Sequence, residues 1–152
     1  MASKVFRTPV ELKNYMQVLC NKAIEKASNR LLEELQKYIV DDYYKQYKPI
    51  YYDRTEKFYE SAIAQMLGNS TASIGVDDLF MDYQYPARYN NVDGTSGHWT
   101  GEDQIQFASR GYHGTTAIQT EGRFWSDFEK YCELNAIRIL KEELIKVGLS
   151  VK

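Results

Sequence analysis

His98 and His113 are the only two histidines of the chain. With Asp93, Glu102 and Asp103 nearby in sequence, they are the first residues to test for chemistry. Imidazole nitrogens and carboxylates gathered in one loop region are what a divalent cation binds. Neither histidine, however, has a second ligand at a recognised spacing such as H-x-x-x-H or C-x-x-C. Polar turn residues are the simpler reading, with an ion held by the His98 and His113 loops as the alternative. Nucleophilic catalysis has less support. Serines and threonines surround both histidines, but there is no G-x-S-x-G elbow. Cys132 falls inside a helical pattern, away from the helix N-terminus that would depress a thiol pKa. Asp41-Asp42 and Asp77-Asp78 are adjacent acids whose side chains point in different directions on a helix or a strand, so neither is a coupled acid/base pair. The segment Gly111-Tyr112-His113-Gly114-Thr115-Thr116 contains glycines but lacks the lysine of a phosphate-binding loop; its glycines are read as allowing positive φ in tight loops. The expectation is a protein without catalytic residues, metal or cofactor. A hydrolase or nuclease built on His98, His113 and neighbouring acids stands as a rival.

Aromatic residues give a stronger signal. Between Tyr43 and Ser61, seven of nineteen positions are tyrosine or phenylalanine, around Pro49. Tyrosine combines a broad apolar ring with a polar tip and suits half-wet surfaces such as interfaces. Two aromatic groups are therefore candidate contact sites: Tyr43, Tyr44, Tyr47, Tyr51 and Tyr52 in the hinge, and Tyr83, Tyr85, Tyr89 and Trp99 in the middle of the chain. The alternative is that many of these rings line the edge of the core.

Composition limits the class. With 43% hydrophobic and 26% charged residues, the 152-residue chain has the make-up of a folded protein and is long enough for one domain with a real core. A net charge of −2 and the absence of a Lys/Arg run argue against a dedicated nucleic-acid binder. No run approaches the ~20 apolar residues of a membrane span, and no apolar leader opens the chain, so synthesis in the cytoplasm and no membrane partner are expected. Cys20 and Cys132 are read as separate thiols, although a disulfide between them is open at this point.

These residues need elements to position them. Thr8-Pro9-Val10-Glu11 combines an N-cap hydroxyl, a proline at the first helical position and a capping glutamate. Leu12, Met16, Leu19, Ala23, Ala27, Leu31 and Leu35 then form one apolar stripe, which predicts a helix over about 9–42. Beyond Pro49, Asp53 and Glu56 suggest a second cap. Phe58, Tyr59, Ala62, Ile63, Met66 and Leu67 recur at helical spacing, which predicts a short helix over about 54–67 ended by Gly68-Asn69. From about 70 to 120 a strand-and-loop region is expected, with strand signals at Ile74 and Val76, at Leu79-Phe80-Met81, and at Gln104 to Ala108, and a turn at Asp77-Asp78. A last helix over about 123–147 carries Phe124, Phe128, Tyr131, Ala136, Ile139, Leu140 and Leu144 and ends at Gly148. The expected fold class is α+β: a long N-terminal helix, a short second helix, a small antiparallel sheet with long loops and a C-terminal helix, in a single domain over 1–152.

Two segments bear a resemblance. Tyr51-Tyr52-Asp53-Arg54-Thr55, followed by Phe58 and Ser61-Ala62-Ile63, is one. Gly122-Arg123-Phe124-Trp125, leading through Phe128 into Glu142-Glu143-Leu144-Ile145-Lys146-Val147-Gly148-Leu149, is the other. Together they resemble small neck proteins of tailed bacteriophages, the head–tail connector or tail-completion class. In that class a long N-terminal helix precedes a Y-x-R-T-x-x-L-x-x-S-I helix, then strands with long loops and a closing helix. The resemblance implies a non-enzymatic virion structural protein at the portal–tail junction, made in the host cytoplasm. It would form a homo-oligomeric ring that docks to portal or adaptor and tail proteins, with at most non-specific contact to DNA. The alternative is a small phage- or bacterium-encoded protein that recognises one partner through a tyrosine-rich surface.

Overall fold

The first helix begins as its cap signals require. The Thr8 hydroxyl accepts the Glu11 backbone N–H at 3.2 Å, and the Glu11 carboxylate accepts the Arg7 N–H at 2.8 Å. From there α1 runs without interruption over Pro9–Asp42, 34 residues. The computed structural model of the chain describes residues 5–48, 56–81, 83–85, 97–111 and 122–151, with 83–85 and 97–99 as backbone only. A one-turn 3-10 helix, Tyr44–Gln46, follows α1. The later elements are α2 (Lys57–Glu60), β1 (Ala62–Gly68), β2 (Thr71–Val76), a second 3-10 turn (Leu79–Met81), β3 (Tyr83–Tyr85), β4 (Gly97–Trp99), α3 (Gly101–Ser109) and α4 (Phe124–Lys146). The fold is α+β, and its strands form two antiparallel two-stranded ribbons, β1–β2 and β3–β4.

α1 and α4 pack antiparallel and form the body. Arg30 lies beside Glu142 and Glu143, while Tyr38, further along α1, meets Phe128 and Tyr131, earlier on α4. Ala27, Leu31, Leu35 and Ile39 from α1 and Phe124, Phe128 and Ile139 from α4 are buried in one cluster with Phe58, Ala62, Met81 and Ala108. α4 ends as glycine at its C-terminal cap predicts: Gly148 takes φ 93°, and the Leu149 N–H reaches back to the Leu144 carbonyl at 2.9 Å.

Three expected elements are corrected. The second helix lasts only from Lys57 to Glu60, and Ala62–Gly68, expected to continue it, is a strand. The buried Ser61 hydroxyl donates to the Phe58 carbonyl at 2.7 Å, taking an acceptor that a longer helix would use. Beyond it, Ala62 to Val76 pair as a hairpin that turns at Asn69-Ser70, with a bulge at Leu67. Gly68-Asn69 is thus a hairpin turn and not a helix cap. α1 holds this hairpin in place. Gln17 donates to the Ser70 hydroxyl at 2.6 Å, and the Asn21 carbonyl accepts the Ser70 N–H at 3.0 Å. The apolar positions of 58–67 carry the helical period; in the strand Ala62, Ala64 and Met66 fall on the more buried face and Ile63 and Leu67 are left exposed.

The second correction is Gln104 to Ala108, expected as a strand and found in α3. Thr100 and Asp103 form a reciprocal capping box: the Thr100 hydroxyl accepts the Asp103 N–H at 3.2 Å, and Asp103 accepts the Thr100 N–H at 3.1 Å. Gly101 and Ala108 are buried with Ile105 packed between them, which is helical spacing. Likewise Leu79-Phe80-Met81 forms a 3-10 turn and no strand, opened by Asp77 and Asp78, whose carboxylates both accept the Leu79 N–H.

α3 is seated tightly on that turn. Gln104 donates through its side chain to the Met81 carbonyl, and a Cβ on Gly101 would collide with the Asp78 carbonyl and Cα. Because the obstructing atoms are backbone, Gly101→Ala should destabilise the protein by about 1–3 kcal/mol. Urea unfolding would measure this, with the exposed Ser109→Ala as a control expected to change little.

Candidate interaction surface

The tyrosine hinge turns partly inward. Tyr44 and Tyr43 have ring centroids 5.4 Å apart, Tyr43 meets Phe58 at 5.2 Å, and Phe58 meets Phe124 at 5.1 Å. The series continues through Trp125, Phe128, Tyr38 and Tyr131 at 6.0–6.4 Å. Tilted and edge-on pairs at these separations are the favoured aromatic geometries. Eight rings therefore tie the end of α1 to α2 and to the start of α4. The Tyr44 hydroxyl also accepts the Tyr59 N–H at 3.3 Å. Tyr43 and Tyr44, candidates for contact with a neighbour, are half-buried and packed against the core; Tyr47 is half-buried too. Tyr51, Tyr52 and Tyr89 lie outside the described residues. The ribbon backbone pairs Tyr83 with Trp99 and Tyr85 with Gly97, so three of the four mid-chain aromatics share one small ribbon.

A charged latch holds the other end of the α1–α4 pair. The Glu143 side chain is 3% exposed and accepts from Arg30 at 2.8 Å and from Lys146 at 2.7 Å. Arg30 also reaches Glu142 at 2.9 Å, and Arg138 holds Glu142 from the outside at 2.7 Å. Both carboxylates are held below the usual range, Glu143 chiefly by Lys146 and Glu142 chiefly by Arg30. At the opposite end, one Asp42 oxygen is buried without a hydrogen-bond donor. Burial, with repulsion from Asp127 second, pushes the Asp42 carboxyl up.

The exposed apolar side chains fall into groups that the sequence pattern did not single out. On α4, Leu134, Ile137 and Ile145 are 82%, 71% and 59% exposed. With Lys141 they occupy steps of three and four along one face, opposite the stripe that fills the core. Leu79 and Phe80 project from the 3-10 turn, 81% and 47% exposed. At the start of α1, Leu12 and Met16 continue the core stripe but remain 45% and 40% exposed, with Val10 and Val18 open beside them. The signal for the α4 face was available as a second periodic set inside a helix whose first set was already assigned.

The described residues contain no group of three His, Cys, Asp or Glu that could hold a metal ion. Only the backbone of His98 is described, in β4, and His113 falls outside the described residues. Cys20 and Cys132 are free thiols. With Arg30 level with Glu142, Cys20 lies ten residues beyond that point on α1 and Cys132 ten residues beyond it the other way. The separation along the helix axes is thus about 30 Å, far outside disulfide reach. Burial pushes the Cys132 thiol up, away from reactive thiolate character. An open hollow between α1 and Tyr59 is lined by Glu33, Gln36, Lys37, Val40, Asp41 and Lys45; its lysines are engaged by Glu34 and Asp41 at 2.6 Å. No helix among the described residues is long and apolar enough to cross a membrane.

The sequence profile of the YomN family matches residues 10–147, so the chain belongs to the YomN family, a phage-type protein family of Bacillus. Neither a curated protein nor a solved structure matches it.

Two outcomes test the electrostatics. Depressed carboxylate pKa values contribute stability that is present above the unfolded value and is lost as pH falls through the folded one. Arg30→Met should cost roughly 1–3 kcal/mol at pH 7, and the deficit should shrink in acid as Glu142 and Glu143 become protonated; urea unfolding at neutral pH and near pH 3 would measure both. Asp42 carries the opposite sign, since its raised pKa favours folding at low pH and opposes it once pH passes the folded value. Asp42→Asn should therefore raise the melting temperature at pH 7 and leave it nearly unchanged near pH 3.

Proposed function

Taking membership of this phage-type family as the premise, we propose that the protein is a non-enzymatic virion structural component at the head–tail junction. It acts by assembling into a ring and docking to portal or adaptor and tail proteins. The observation that carries this reading is the pair of exposed apolar patches on different elements: the Leu134–Ile137–Ile145 face of α4 and the Leu79–Phe80 turn. A closed ring uses heterologous contacts, in which each subunit presents two unlike surfaces, and a linear seam and a two-residue knob are unlike. Isolated apolar residues need no explanation, but sets at regular spacing on one helix face point to contact with protein. The net charge of −2 fits a lumen through which DNA passes with weak, sequence-independent contact. The aromatic ladder contributes rigidity, since it fixes the end of α1 to α2 and α4.

Solution mass across a concentration series, with negative-stain images of the heaviest species, tests the proposal. Closed rings that Leu134→Glu with Ile137→Glu disperse would support it, because placing charges on a contact of this kind removes its hydrophobic gain and buries unpaired groups. Rings untouched by these changes would move the contact elsewhere. A protein that stays monomeric at every concentration and on purified portal would favour the single-partner binder instead.

A further inference from the structure

The first turns of α1 extend beyond the helix that covers the rest of it. Glu143 faces Arg30, and α4 ends at Lys146, one turn further on. At that level α1 has reached about Lys26, so Pro9 to Lys22 has no α4 alongside. The uncovered part is not a new face. Leu12 and Arg30 are eighteen residues apart, about five whole turns; Leu12 therefore shares its face with the residue that grips α4. Met16 and Leu19 lie on the same side, while Gln17 and Asn21, bound to the tip of the β1–β2 hairpin, lie on the other. Burial follows this geometry. Ala23 is fully buried and Leu19 half-buried, whereas Leu12 and Met16 are 45% and 40% exposed.

We infer that this arm binds the same arm of a second copy, antiparallel, through Leu12, Met16 and Leu19, with the partner's α1 taking the place along α1 that α4 has left. Three features select this occupant. First, continuity: a partner arm on this face extends the α1–α4 packing already present and runs in the same direction as α4. Its helix N-terminus then follows the C-terminus of α4, an attractive arrangement of helix dipoles. Second, charge: Glu11 and Lys22 lie on the same flank of the seam, and antiparallel pairing centred near Met16 brings each Glu11 beside Lys22 of the partner copy, twice by symmetry. Third, fit: the arm runs from residue 9 to residue 22, so two arms centred on Met16 overlap along their length while the bodies stay at opposite ends. A contact of about four turns is smaller than the ~1,200–2,000 Å² of a standard stable interface. The dimer is therefore weak and concentration-dependent, suited to tying subunits together where they are already crowded. It holds whether or not the protein forms a ring, since the ring proposal rests on α4 and the Leu79–Phe80 turn.

Sedimentation from micromolar to millimolar concentration tests it. A monomer–dimer equilibrium is expected, weakened at least about tenfold by Leu12→Glu with Met16→Glu. Both side chains are exposed in the monomer, so the thermal melt should not fall. Leu134→Glu should leave this dimer intact. In a background of Cys20→Ala and Cys132→Ala, Met16→Cys should cross-link two copies under oxidation, and Asn14→Cys, on the opposite side of the arm, should not. A strict monomer up to about 1 mM would overturn the inference. So would a dimer indifferent to the Leu12 and Met16 changes, or cross-linking as fast through Asn14→Cys as through Met16→Cys.

Discussion

The length of α1 is the constraint on which the rest depends. A helix of 34 residues spans about 51 Å, and the 23 residues of α4 span about 35 Å. No single partner among the described residues covers the first along its whole length. α4 takes the C-terminal part of one side, and the β1–β2 hairpin lies along another, pinned by Gln17 and Asn21 at its tip. Two covers of different shape leave an uncovered strip, and that strip is where α1 keeps its apolar stripe exposed. Within the covered length the helix pair is fastened by unlike devices at its ends. An aromatic series closes the Tyr38–Phe128 end, and a buried carboxylate between two cations closes the Arg30–Glu143 end.

Those devices differ in what they demand. Ring contacts tolerate small shifts, because tilted and edge-on arrangements have similar energies over a range of separations. The Glu143 carboxylate, at 3% exposure, is costly unless both its partners stay in place. The latch therefore fixes the axial register of α4 on α1, and the aromatic end follows. This register separates the two cysteines, and it also sets where α4 stops and how much of α1 is left uncovered.

The long helices were legible in the sequence because their signals are local and redundant. Thr8, Pro9 and Glu11 mark one start, Gly148 marks one stop, and the stripes in between are long enough to exclude a strand. The middle was not, for reasons that can be named. Ala62 to Leu67 has helical spacing on paper, but Ser61 closes the helix after one turn and α1 provides a surface for a hairpin. For Gln104 to Ala108 the alternation of polar and apolar residues outweighed a cap already present in Thr100 and Asp103. That cap was the better guide, since five residues carry little periodicity and a reciprocal cap satisfies two backbone donors. In the surface patches, the mid-helix set on α4 was hidden by the stronger core stripe on the same helix, and the Leu12–Met16 seam was hidden because it reads as the beginning of that stripe. Sequence tells which residues share a face and not where the covering element ends.

The same distinction bears on function. Leu12 and Met16 occupy core-type positions at a place where the described residues leave them exposed, and Leu134, Ile137 and Ile145 occupy positions where a solvent-facing helix would ordinarily carry charge. A single domain could replace any of them with lysine or glutamate at little cost to its own stability, because surface substitutions remote from packing change it by less than about 0.5 kcal/mol. Retaining apolar side chains there is a cost in solubility that folding does not require. Under the assembly proposed above, surfaces that are too small to hold alone become sufficient when several act together at high local concentration. The ring and the dimer proposed above would each rest on weak contacts of this kind, held in combination.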